Sequence, residues 1–185
     1  MTRYVVLVRA INVGARHAPM ADLRAACEAV GFADVQSYIA SGNLVLSAAQ
    51  PAAEVEAKVE QIFAERYGFH ADAIARTAAE WRSFLAAAAF AAEREARPTQ
   101  IHLCLSKSPP LAAAAERLAE RATLGERFIV QAEVLWADFA GGVGKSKITP
   151  SLLDRCVGSP VTSRNWNTVL KLAEMSSGTD RSAAG

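Results

Sequence analysis

Apolar positions along the chain fall into two patterns, dense short runs and stripes at helical spacing, and their alternation predicts strands and helices in turn. Residues 3–9 are rich in valine and read as a buried strand. Pro19 suits the first turn of a helix, and Met20, Leu23, Cys27 and Val30 then recur at helical spacing until Gly31. Residues 35–40 and 44–47 are strand-like and joined through Ser41-Gly42-Asn43, a hairpin signal. Pro51 opens a second helix with a stripe at Val55, Val59, Ile62, Phe63 and Arg66, ending near Gly68, and residues 72–77 form a further strand candidate. A third helix carries Trp81, Phe84, Leu85 and Ala88 on one face and runs through the alanine-rich stretch until just before Pro98.

The second half repeats this element order without an obvious sequence repeat. It has a strand at 100–105, a helix at 111–122, a hairpin from 128–131 and 134–139, a glycine-lysine loop, and helices at 151–156 and 163–175. Strand, helix, strand, strand, helix, strand is the split βαβ arrangement. The expected fold is therefore α+β, with two ferredoxin-like (α/β-plait) subdomains built on antiparallel sheets. The expected division is 1–97, including a linking helix, and 98–175, with a small polar tail at 176–185 that reads as disordered. In such a sheet the first two strands run the same way. The loop holding Arg9 and the turn holding Ser41 should therefore meet at one end.

Composition narrows the function classes. The chain has 185 residues and a formal charge of only +1, from 20 basic and 19 acidic residues. A neutral chain lacks the electrostatic footprint of non-specific binding to nucleic acid or anionic membrane. Cys27, Cys104 and Cys156 are isolated, and His17, His70 and His102 lack metal-ligand spacing, so no disulfide framework and no metal site is expected. The chain opens directly on a strand pattern and has no apolar stretch long enough for a bilayer, so the expected location is the cytoplasm.

Four polar-and-glycine motifs interrupt the apolar pattern where elements begin or end, the usual place for binding groups held by a scaffold. They contribute Arg9, Asn12 and Gly14; Ser41, Gly42 and Asn43; Lys145, Ser146 and Lys147; and Arg164 with Asn165. Each also has a purely architectural reading. Asn12 and Gly14 suit a turn, and Ser41-Gly42-Asn43 suits a tight hairpin. Gly142-Val143-Gly144-Lys145-Ser146 resembles the core of a phosphate-binding P-loop, but Phe139 stands where that motif needs its first glycine. About 40 residues follow, too few for the parallel strands of that fold. Thr162 reads as a helix cap, with Val161 and Trp166 as a hydrophobic staple, which places Arg164 in the first helical turn. There its charge opposes the macrodipole unless an anion is bound, and an exposed arginine is the alternative.

Taken together the four motifs resemble those of a bacterial family of unknown function, domain-of-unknown-function 1697. That family shows R-G-I-N-V-G followed by a proline-methionine helix start (Pro19-Met20 here), Y-I-x-S-G-N (Tyr38 to Asn43), G-x-G-x-S-K (Gly142 to Lys147) and R-N-W-x-T (Arg164 to Thr168). One departure is Ala10, where the family has glycine. The resemblance covers roughly residues 1 to 175; it implies an α/β-plait and no activity. The functional expectation is a small anionic ligand, such as a nucleotide or phosphorylated metabolite. Arg9, Asn12, Ser41 and Asn43 would line one wall, and Lys145, Lys147, Arg164 and Asn165 another. The alternatives are a nucleic-acid-binding module and a transferase-type enzyme whose acid–base group is unrecognised. The residues do not decide between enzyme and binder, and they specify no cofactor and no oligomeric state.

Overall fold

The structure, a computed structural model, describes residues 1–178. Strand β1 (Thr2–Val8) is followed by helix α1 (Met20–Ala29), strands β2 (Ala33–Tyr38) and β3 (Asn43–Ala48), helix α2 (Ala52–Ile62) and β4 (Ala73–Thr77). These strands form one antiparallel sheet in the order β2-β3-β1-β4. After helices α3 (Ala78–Ala86) and α4 (Ala91–Ala96), the pattern recurs as β5 (Ile101–Ser106), α5 (Ala114–Ala119), β6 (Arg127–Gln131), β7 (Val134–Asp138), α6 (Pro150–Val157) and β8 (Val161–Asn165). That sheet has the order β6-β7-β5-β8, again antiparallel throughout. Helix α7 (Trp166–Ser177) closes the described chain. Both halves have the ferredoxin-like strand order.

Alternation along the strands explains the two cores. In the first sheet Tyr4, Val6, Val8, Leu44, Leu46, Ala73 and Ala75 share the face that packs on Leu23 and Cys27 of α1 and Val55, Val59 and Ile62 of α2. In the second, Cys104, Leu135, Ala137 and Phe128 face Ala114 and Leu118 of α5 and Leu153, Cys156 and Val157 of α6. Contacts group the described residues into Met1–Arg82 with residues 172–178, and Ser83–Lys171. The division falls inside α3 and inside α7.

Four expectations change. The third helix does not run through the alanines to Pro98: it stops at Ala86, and Phe90, at φ 60, sets a new start for α4. The Arg94 guanidinium holds the break by donating to the carbonyls of Ala89 (2.9 Å) and Ala88 (3.1 Å). The helix expected at 111–122 is confined to Ala114–Ala119. Leu111 is drawn instead onto the end of α6, where its backbone N–H donates to Val157 and its side chain covers Gly158. The last helix does not begin at residue 163: residues Val161–Asn165 form β8, paired with β5, and the helix starts at Trp166. The cap is Asn165, whose Oδ1 accepts the Thr168 N–H at 3.0 Å, and not Thr162. Of the tail expected to be disordered, Ser176 and Ser177 belong to α7, and 179–185 lie outside the described residues. No helix among the described residues is long and apolar enough to cross a membrane.

Candidate functional site

The first two motifs meet at one end of the first sheet. Asn12 Nδ2 donates to the Ala40 carbonyl at 2.7 Å, and the Val8 N–H donates to the Gly42 carbonyl at 2.7 Å. Hydrogen bonds hold the meeting together. Asn12 also donates to the Ala18 carbonyl and accepts the Ala18 N–H through Oδ1, so its amide spans three strands of loop. Asn43 is fully buried, and its Nδ2 donates to the Tyr38 carbonyl and to Ser41 Oγ, each at 3.0 Å. Gly42 has φ +83, and a Cβ there would lie 2.7 Å from the Val8 carbonyl oxygen. Gly14, at φ +58, sits in an open turn. Arg9 is 3.7 Å from Asp72, a carboxylate that also contacts His70 Nε2 at 3.1 Å.

The second pair of motifs lies in the other unit. Arg164 is a β8 residue opposite Leu103, not a member of the first helical turn. Its Nη1 donates to Thr162 Oγ1 and the Ser163 carbonyl, both at 2.8 Å, and burial pushes the guanidinium down to about 10. Asn165 is occupied as the cap of α7.

In the glycine-lysine loop the backbone N–H groups of Gly142, Lys145 and Ser146 donate to carbonyls of the same loop. They do not point into a phosphate cradle of the P-loop kind. The Ser146 hydroxyl donates to Glu126 Oε1 at 2.5 Å, and Lys145 and Lys147 are exposed. Glu126 is buried, and its other oxygen accepts the N–H groups of Thr123 (3.0 Å) and Leu124 (2.7 Å). Burial alone would raise its pKa; the hydrogen bonds from Ser146 and the backbone outweigh that and hold the carboxyl below its ordinary value.

Beside this loop the end of α5 and the start of α6 enclose an open groove of about 610 Å³. It is lined by Glu120, Arg121, Thr123, Lys147, Thr149, Leu152 and Arg155. Thr149 caps α6 by accepting the Leu152 N–H, and Pro150 follows in the first helical turn. Among the sequence-derived candidates, only Lys147 lines this groove. Arg121 and Arg155 were legible only as solvated helix positions; Thr149-Pro150 was the one available signal, a helix start.

All three thiols are free and buried. Burial pushes Cys27 and Cys104 up to about 12, and Cys156 lies on the buried face of α6. Among the described residues there is no group of three or more His, Cys, Asp or Glu side chains that could hold a metal.

The architecture is similar to that of the conserved bacterial protein SP0830 from Streptococcus pneumoniae, with a TM-score of 0.71 and 23% sequence identity over 95% of this chain and 98% of that one. At that identity the likeness speaks for the fold alone. No curated protein matches the sequence. The loop scaffold of Asn12 and Gly42 lies within residues 1–136, the segment matched by the family model described as "Protein of unknown function (DUF1697)", and the chain belongs to that family.

Proposed function

We propose that the protein binds a small phosphate-bearing anion in the groove between α5 and α6. The observation that carries this reading is the convergence of Arg121, Lys147 and Arg155 with the hydroxyl residues Thr123 and Thr149 around one cavity, against the single carboxylate of Glu120. Its volume of about 610 Å³ suits a small metabolite. Guanidinium groups make bidentate, charge-assisted bonds to phosphate oxygens, and the capped start of α6 adds a favourable dipole. This reading treats Asn12, Gly14, Gly42 and Asn43 as loop scaffold, and keeps Lys147 as a ligand-binding residue. A net charge of +1 disfavours nucleic acid as the partner.

The test is a titration of the full chain with inorganic phosphate and a panel of phosphorylated metabolites, read by thermal shift and calorimetry. Arg121→Glu and Arg155→Glu should each weaken the best anion by about tenfold or more while leaving the protein folded. Binding unchanged in both variants would refute the groove.

A further inference from the structure

The groove has walls from two separate loops, residues 120–126 and 141–149, and a chain of hydrogen bonds joins them from beneath. The Thr123 and Leu124 N–H groups donate to one oxygen of Glu126. Ser146 Oγ donates to the other oxygen, and the same Oγ accepts the Ile148 N–H at 3.1 Å. Lys147 lies between the two residues this chain seizes, and Ile148 is anchored in the core of its unit. The loops are also in close steric contact, since a Cβ on Gly141 would lie 2.8 Å from Leu124 Cβ. A carboxylate only 5% exposed and satisfied by three donors has one well-determined arrangement.

We propose that Ser146 and Glu126 are positioning residues for anion binding: they form a latch that fixes Thr123 on one loop and Lys147 on the other at the spacing the ligand needs. The proposal rests on the groove reading above. It gives Ser146 a role beneath the ligand, without contact to it. Fixing backbone dihedrals costs conformational entropy, so a backbone already held on both sides of Lys147 reduces what binding must fix.

The latch is tested on the full chain with inorganic phosphate as the probe, together with amide hydrogen exchange in its absence. Ser146→Ala cuts the link between the loops and leaves the Glu126 bonds to Thr123 and Leu124 in place. The Ile148 amide should exchange at least about tenfold faster, and phosphate affinity should fall about five- to tenfold. Ser146→Thr, which keeps the hydroxyl, should restore both. Glu126→Gln keeps the side-chain shape should alanine at 146 prevent folding, and it should fall between wild type and Ser146→Ala in both readouts. Wild-type exchange in Ser146→Ala would overturn the latch itself. Faster exchange with unchanged phosphate affinity would overturn its positioning role. No phosphate binding by the wild-type chain, with faster exchange in the variant, would overturn the groove reading and the positioning role with it, leaving the latch as part of the fold.

Discussion

Ala10 has φ 50, a left-handed conformation that costs an L-residue about 1 kcal/mol or more relative to glycine. Asn12 (φ 55) and Ile39 (φ 50) share that conformation near the loop contact, and Asn12 recovers the cost through its side-chain hydrogen bonds to Ala18 and Ala40. Alanine has no such return. Ala10→Gly should therefore raise the unfolding free energy by about 0.5–1 kcal/mol in urea denaturation. Gly42→Ala should lower it by about 2 kcal/mol or more, because both its φ and the Val8 carbonyl oppose a side chain. His102 yields a pH prediction. Burial lowers its pKa from 6.5 to about 4, while a bond to the Thr99 carbonyl opposes the shift and its Nδ1 has no hydrogen-bond partner. The folded chain thus prefers the neutral ring. Its contribution is fully present above pH 6.5 and is lost as the pH falls towards 4, roughly 3 kcal/mol in all. The stability of His102→Leu relative to wild type should rise by that order across the same window. A constant difference between the two proteins would show that the ring is not protonated on unfolding.

At the scale of elements, helices and strands with a clean apolar period were legible, and those fixed by a distant partner were not. Val55, Val59 and Ile62 marked α2, and the valines of β1 marked a buried strand. The alanines after Leu85 favour helix locally, yet the chain breaks where Arg94 takes the carbonyls and packs 4.5 Å over the Trp166 ring. Residues 161–165 read as a helix start because Thr162 is a good cap; pairing with β5 overrode that local preference. An ion cluster also ties elements far apart in sequence. Fully buried Asp138 of β7 pairs with Arg97, which follows α4, and with Arg127 of β6, which also pairs with Glu93 of α4. Burial would favour the neutral acid, but the two guanidinium groups outweigh it and hold the carboxyl below its ordinary range. Removing the carboxylate takes the ion pair from Arg97 and leaves Arg127 with Glu93 alone. Asp138→Ala should cost about 3 kcal/mol of stability, at the low end for a buried pair because Arg127 is half exposed to water. A loss under about 0.5 kcal/mol in equilibrium unfolding would show that the cluster does not hold these elements.

For the whole molecule, the duplicated plait was legible from the repeated element order, and the meeting of the Arg9–Gly14 loop with the Ser41–Asn43 turn followed from strand direction. The groove was not legible, because Arg121, Lys147 and Arg155 lie far apart in sequence, and the two loops beside it are joined through Glu126, a residue no motif marks. The grouping of the chain carries a separate consequence for synthesis. The first unit's sheet is complete by Thr77, but its last segment begins only at Leu172, after the entire second unit. At about 5–20 residues per second, a ribosome makes that segment several seconds after Thr77. The first plait is therefore whole before the second is made, and the segment from Leu172 that groups with it arrives only after Ser83–Lys171 has been synthesised.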